Sequence, residues 1–386
     1  ITTYPGATGD QEDFGTTKGT LATVFMDPRW INYAMHSVVA DCVRGFMYHE
    51  ADGTPIDPVN HPDWYTWSMG THWHHGQSPD RLGKNNRVRS DPGTGWSGYD
   101  DQHRSQNNLA ACFLLTGDDF LEFIIDASSS VDIVNVRYKR DYGFGAARAV
   151  GRRALTWANF KMLSADGSES KRRFQALLDW TSTNLPRFFL ADQHGNEIQN
   201  YNYGRDPRAG LKTPDTNVDV HYWVAWEHAL MCYGLLAAHR ATGDETHRQY
   251  AKRISDTLAR FAFFKDSGGW LAIDGMFYPI KNNHYNPADY IPGWTEADVG
   301  KPLPAALGRT RGSWAITDRR VGGTAFWTFS AGITTYFATH DPSHDLWDDM
   351  VDLARSVTGG REAGQTRHAE WWAVVNSMRA TLSRVS

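Results

Sequence analysis

Four segments of the chain share one pattern of apolar and polar positions. In each, an apolar stretch leads into a short turn that carries Asp, and a stretch with apolar residues on one helical face follows. The four turns are centred on Asp118, Asp166, Asp244 and Asp341. Gly or a polar residue can end the first helix of each pair, and Asp or Ser can cap the second. The pattern therefore predicts four α-helical hairpins.

The two stretches of a hairpin differ in character. In the third hairpin Tyr250, Ile254 and Leu258 recur every four residues, as in an amphipathic helix. The first stretches are apolar on most sides and contain small residues such as Ala331 and Gly332, which let helices approach closely. An inner ring of apolar helices and an outer ring of amphipathic ones is predicted: an all-α fold, an (α/α) toroid or six-hairpin barrel. An open helical solenoid is the alternative.

The connections between hairpins are much longer than the turns within them. The long ones cover residues 49–98, 187–220 and 265–321. In an alternating ring, connections of one kind meet at one end, so these loops should form a cleft there. Residues 29–48 and 368–382 supply further helices. We expect one toroid domain over residues 1–386, with residues 1–27 as a candidate N-terminal extension.

Composition limits the partners and the compartment. The net charge is −5 and the pI is about 6.4, so the chain lacks the basic signature of a nucleic-acid-binding protein. No apolar run approaches the roughly 20 residues of a membrane span. The three cysteines lie in apolar segments without metal-ligand spacing, so we predict small buried side chains and no disulfide frame. The chain begins at Ile1, and we expect a secreted or periplasmic protein.

Polar residues crowd the start of the first hairpin. Residues 98–108 are almost entirely polar, and Tyr99, His103 and Asn107 share one helical face. Desolvating so many polar groups is costly, so we expect this segment to face the cleft. Further faces of this kind pair Arg148 with Arg152 and His221 with Ala225, each at a spacing of four residues, with His228 three residues beyond Ala225.

These residue types suit β-elimination at a uronic acid. That reaction needs a cation or amide to neutralise the sugar carboxylate, a base for the C5 proton and an acid for the leaving oxygen. The candidates are His103 as base, Arg104, Asn107 or Arg148 at the carboxylate, and Tyr99 or Tyr222 as acid.

Hydrolysis is the alternative chemistry. It needs two carboxyl groups across the scissile bond, and Asp100 or Asp101 with Glu227 is the best pair in the sequence. Structural roles compete with these assignments. The two aspartates can cap the helix, and Glu227 can pair with Arg148 or Arg152. His103 can likewise serve only as a hydrogen-bonding residue at the helix start.

The loops carry candidate binding residues and positive charge. Residues 81–89 contain four cations and no acid, and residues 301–320 contain five cations and one acid, which favours an anionic glycan. His72, His74 and His75 form a hypothetical metal site, with Asp101 or His103 adding a ligand, although no cofactor is predicted to be required. The residues expected to bind substrate are Asn107, Arg148, Arg152, His72, His74, Tyr201, Tyr203, His221, Trp226 and Glu227.

Three runs carry a resemblance to a known group of enzymes. "YDDQHRSQNNLAACFLLTGDD", "ARAVGRRALTWANF" and "WEHALMCYGLLAAHRATGDETHRQYAKRI" resemble the six-hairpin toroid enzymes that act on carbohydrates. The paired acids Asp100 and Asp101 are similar to the acid position of unsaturated-glucuronyl hydrolases. His103 and the His and Tyr content of the loops look more like the rhamnogalacturonan-exolyase-type lyases. The resemblance spans about residues 96–265.

The resemblance and the residues together give an ordered set of expectations. The first is a polysaccharide lyase that cleaves an acidic, uronic-acid-containing glycan. The second is a glycoside hydrolase on the same scaffold that uses Asp100 or Asp101 with Glu227. The third is a non-catalytic glycan-binding or surface-assembly protein. No nucleic-acid or membrane partner is expected.

Overall fold

In its described residues the chain forms helical hairpins and two small sheets, as seen in a computed structural model. Contacts divide it into two compact units. The first unit is residues 1–184 with 237–245, and the second unit is residues 185–236 with 246–386. The structure describes residues 28–42, 50–55, 57, 59–60, 106–139, 147–191, 197–199, 221–223, 225–266, 269–278, 315–319 and 325–359.

All four predicted hairpins are confirmed, and so is the helical fold class. The helix α1, Pro28–Cys42, lies within the predicted stretch 29–48. The hairpins are α2 Asn107–Thr116 with α3 Asp119–Lys139, α4 Ala147–Leu163 with α5 Glu169–Phe188, α6 Ala225–Thr242 with α7 Glu245–Phe261, and α8 Ala325–Thr339 with α9 Trp347–Gly359. The last predicted helix, residues 368–382, lies outside the described residues. The single-domain expectation stays a prediction.

The first turn shows how the sequence closes a hairpin. Gly117 ends α2 in the left-handed conformation, with φ of 63°, and its N–H donates to the Phe113 carbonyl over 2.8 Å. Asp118 then caps α3, because its Oδ1 accepts the Phe120 N–H over 2.8 Å. The glycine stop and the aspartate cap therefore act as the sequence predicts.

The core of the first unit is built on α4. This helix is buried on nearly all sides, as expected for a first helix of a hairpin. Phe160 meets Phe174 of α5 edge to face, with ring centroids 5.5 Å apart. Trp157 donates its indole N–H to Oδ2 of Asp132 over 2.7 Å, so one buried carboxylate has its partner inside the core.

In the second unit a small residue permits close packing, as predicted, although against a strand. A Cβ placed on Gly332 of α8 would lie 3.3 Å from the ring of Phe263, the first residue of a strand that spans Phe263–Asp266. The Phe263 ring stacks on Phe329 at 5.6 Å. Gly332 therefore lets α8 approach the aromatic side chain directly.

The sheets occupy connections that the sequence analysis treats as loops. β1 Phe189–Ala191 pairs with β2 Glu197–Gln199, and the longer β5 Gly269–Tyr278 pairs antiparallel with each of its neighbours. The run "FFKDSGGWLAI" holds the signal that helical periodicity misses, because a Ser-Gly pair between apolar runs is typical of a tight β-hairpin. The neighbours of β5 are β3 His221–Trp223, β4 Phe263–Asp266 and β6 Ala315–Arg319.

Among the described helices, none has the length and apolar character needed to cross a membrane.

Candidate functional site

Most residues predicted to perform chemistry lie outside the described part of the chain, and their roles stay predictions. Export and the absence of a required cofactor also stay predictions. The residues concerned are His72, His74, His75, Tyr99, Asp100, Asp101, His103, Arg104, Tyr201 and Tyr203.

The end of the polar segment is described, and it is packed between helices of the first unit. Gln106 is 1% exposed. Its backbone N–H donates to Oγ1 of Thr156 on α4 over 3.3 Å, and its side-chain amide donates to Oγ of Ser128 on α3 over 3.4 Å. These partners offset part of the cost of burying Gln106. Asn107 follows as the first residue of α2, and Asn108 is buried.

The predicted arginine face of α4 is the face that meets this helix start. Arg148, Arg152 and Thr156 follow one another at spacings of four residues and therefore share one side of α4. Thr156 holds Gln106, and α2 contacts α4. Arg152 is 2% exposed and Arg148 is partly buried. The start of α2 therefore meets α4 at Thr156, four residues beyond Arg152 and eight beyond Arg148 on the same side of the helix.

A second group of predicted residues lies where β3 leads into α6, in the second unit. His221 and Tyr222 belong to β3, which pairs with the end of β5. The predicted helical spacing of His221 and Ala225 is therefore wrong, because pairing with β5 holds residues 221–223 extended and α6 begins only at Ala225.

The first turn of α6 buries ionisable groups. Trp226, Glu227 and His228 are 9%, 8% and 3% exposed, and all three have interaction partners. A carboxylate in the first turn of a helix is favoured by the helix dipole. The structure therefore places a buried glutamate and a buried histidine within seven residues of His221.

The turn between α8 and α9 holds a polar cluster that the sequence analysis missed. We call Asp256, Tyr336, His340 and His344 the turn cluster. His344 Nε2 lies 2.9 Å from Oδ1 of Asp256 on α7, and its Nδ1 lies 2.7 Å from the Tyr336 hydroxyl. The His340 ring stacks on Tyr336 at 4.5 Å and meets His344 at 4.3 Å. The only local sign in the sequence is the His-x₃-His spacing of "HDPSH".

Charged neighbours surround the turn cluster. Arg260 bonds to Oδ2 of Asp256 over 3.0 Å and to both carboxylate oxygens of Asp345 over 2.9 and 3.0 Å. The hydrogen bond from Arg260 lowers the pKa of Asp345. Burial lowers the pKa of His340 to about 4 and raises the pKa of Tyr336. His340 is therefore a neutral imidazole at pH 7.

The turn cluster has the donor atoms of a metal centre. Asp256, His340 and His344 each offer one ligand atom, and these atoms lie within 4.8 Å of one another. Among the described residues, these three are the His, Cys, Asp or Glu side chains whose ligand atoms lie close enough to share one metal ion. The histidines predicted as a metal site, His72, His74 and His75, are not among the described residues.

Comparisons with known proteins give one distant likeness. No protein-family model and no curated protein matches the chain. The chain is similar to the solved structure of an unsaturated glucuronyl hydrolase variant with dGlcA-Glc-Rha-Glc, at 16% identity and a TM-score of 0.34. The match covers 74% of this chain and 85% of that chain. At this level the likeness assigns neither a substrate nor a site, so the functional argument rests on the chain's own residues.

Proposed function

We propose that the protein is a carbohydrate-active enzyme that cleaves a uronic-acid-containing glycan by β-elimination. The observation that carries the proposal is the contact between the start of α2 and the arginine face of α4 in the first unit. Gln106 bonds to Thr156 on that face and is followed by Asn107, and in the sequence Arg104 and His103 come two and three residues before Gln106.

The chemistry follows from the charge of that face. Arg148 and Arg152 supply two guanidinium groups, and a guanidinium binds a carboxylate through two parallel hydrogen bonds. A partly buried cation interacts more strongly with an anion than one in water does. Binding the uronic carboxylate there would acidify the C5 proton for His103 as base, while Tyr99 protonates the leaving oxygen.

Matched variants test this role. Uronic-acid polysaccharides are incubated with the enzyme while ultraviolet absorbance and reducing ends are followed together. Elimination raises both signals, because it leaves a C4–C5 double bond. We expect His103→Ala to lower turnover by about 10²–10⁴-fold.

The arginine face is tested by a pair of substitutions in the same unit. Arg148→Gln should raise KM for the uronic glycan, whereas Arg172→Gln should not, because Arg172 lies on α5 with a side chain that is 63% exposed. Full activity in both His103→Ala and Arg148→Gln would contradict the proposal.

Hydrolysis is a second candidate, and burial of Glu227 in the first turn of α6 favours it. Hydrolysis needs two carboxyl groups across the scissile bond, and Glu227 could supply one of them. Reducing ends without ultraviolet absorbance would support this chemistry. Glu227→Gln should then abolish turnover, and Glu245→Gln should not, because Glu245 occupies the first turn of α7 with a side chain that is 59% exposed. Binding of the glycan without either signal would indicate the non-catalytic binding protein.

A further inference from the structure

We propose that Asp256, His340 and His344 form a binding site for a transition-metal ion, with Zn²⁺ as the best fit. The ion would fasten the turn between α8 and α9 to α7 within the second unit. This inference is independent of the proposed function, because none of the three residues belongs to the proposed cleavage site.

The first argument is the placement of the ligands. His340 and His344 lie four residues apart in the turn between α8 and α9, and Asp256 comes from α7, 88 residues before His344. Their ligand atoms are already within 4.8 Å of one another. Atoms bound to one Zn²⁺ at about 2.0–2.2 Å lie roughly 3–3.5 Å apart, so small side-chain adjustments close the site.

The second argument is that each ligand has a partner that orients it. Nδ1 of His340 lies 3.0 Å from the Thr339 hydroxyl and 3.3 Å from the Tyr336 carbonyl. A proton on Nδ1 can donate to that carbonyl, which leaves the Nε2 lone pair for a metal. Oδ2 of Asp256 is held by Arg260, which leaves Oδ1. Metal-binding histidines commonly have such outer partners.

His344 completes this arrangement. With a metal on Nε2, its single imidazole proton would sit on Nδ1. The Tyr336 oxygen at 2.7 Å and Oδ1 of Asp345 at 3.4 Å can both accept it. The hydrogen bond between Nε2 and Asp256 would be replaced by two bonds to the same ion.

The third argument concerns charge and donor type. Asp256 and Asp345 are two carboxylates that share a single guanidinium partner, Arg260. Lys252 is a further cation that acts on His340, and Asp349 is a further acid that acts on Tyr336. Two imidazoles and a carboxylate suit Zn²⁺, Co²⁺ or Ni²⁺, whereas Mg²⁺ and Ca²⁺ prefer oxygen ligands.

The test is a calorimetric titration of chelator-treated, untagged protein with ZnCl₂. We expect one site that disappears in His340→Ala and in His344→Ala. Asp256→Asn should weaken the affinity by at least about 10–100-fold, the loss that follows when even an outer partner is removed. Zn²⁺ should also raise the thermal unfolding midpoint of the unmodified protein and leave that of His344→Ala unchanged. Circular dichroism confirms that each variant is folded.

Two control variants separate this site from other histidines. His239→Ala removes a partly buried histidine at the preceding hairpin turn, whose Nε2 lies 3.8 Å from Glu245. Replacing His72, His74 and His75 together by Ala removes the cluster predicted from sequence. Both controls should keep the site. Zn²⁺ binding that survives His340→Ala and His344→Ala, or that is lost in either control, would overturn the proposal, as would no binding at all.

Discussion

The turn between α4 and α5 and the turn between α8 and α9 both reverse the chain between two helices, but different interactions stabilise them. The first reverses the chain with Gly167 at a φ of +76° and leaves its polar groups in water. Asp166 there is fully exposed, and a hydrogen bond from Lys171 lowers its pKa. The second turn has no such glycine, and it packs His340 and His344 against Tyr336.

The two turns therefore depend on different interactions for their stability. A turn made by a left-handed glycine depends on backbone conformation, so its side chains are free to vary. A turn made by packed imidazoles depends on every polar partner, because an unsatisfied buried group costs more than its hydrogen bond contributes. Of the two turns, the second is the one whose side chains belong to the proposed metal site.

The largest expected effect comes from removing the imidazole at the centre of the turn cluster. His344→Ala deprives the Tyr336 hydroxyl and the Asp256 carboxylate of a partner, and Tyr336 is fully buried. We expect the free energy of unfolding to fall by about 2–3 kcal/mol. Urea unfolding in the presence of a chelator measures this change. A loss below about 1 kcal/mol would show that the two turns do not differ in this way.

The intermediate effect is expected at Gly167 in the turn between α4 and α5, which we call the glycine turn. A Cβ at Gly167 would meet nothing within 4 Å, so Gly167→Ala adds only the strain of a left-handed alanine. We expect a loss of about 1 kcal/mol in the free energy of unfolding. The same urea experiment measures it. No change, or a loss as large as that of His344→Ala, would remove the contrast between the turns.

The smallest effect is expected at the exposed carboxylate of the glycine turn. Asp166→Asn should leave the urea midpoint unchanged, because the group is fully solvated and its pairing with Lys171 is screened by salt. Measurements at low and high salt check this result. A clear drop in the midpoint at both salt concentrations would mean that this turn also relies on side-chain partners.

The sequence predicts those parts of the fold that local chemistry determines. Gly117 and Asp118 end one helix and cap the next within two residues, so a short window suffices to recognise the turn. Gly332 was recognised as a close-approach position, but the sequence does not reveal that its neighbour is Phe263 in a strand. Pairing of β3 with β5 joins segments more than 50 residues apart, and helical periodicity carries no information about it.

The two candidate sites also differ in how far local sequence predicts them. Arg148 and Arg152 are recognisable as one helical face, and Thr156, four residues beyond Arg152, bonds to Gln106 at the start of α2. The turn cluster was missed because Asp256 joins it from another hairpin, and His340 to His344 alone is a weak pattern. Tertiary packing of α7 against the later turn supplies the third ligand.

The most direct test of the account compares one uronic-acid polysaccharide with its carboxyl-reduced form, in which each uronic acid has become a neutral sugar. The sugar carboxylate is the group that the arginine face is proposed to bind. We predict that reducing ends and ultraviolet absorbance rise together with the acidic glycan, and that both stay flat with the reduced one. Equal cleavage of the two forms, or cleavage of neutral glycans alone, would contradict the proposal that the arginine face binds a uronic carboxylate during β-elimination.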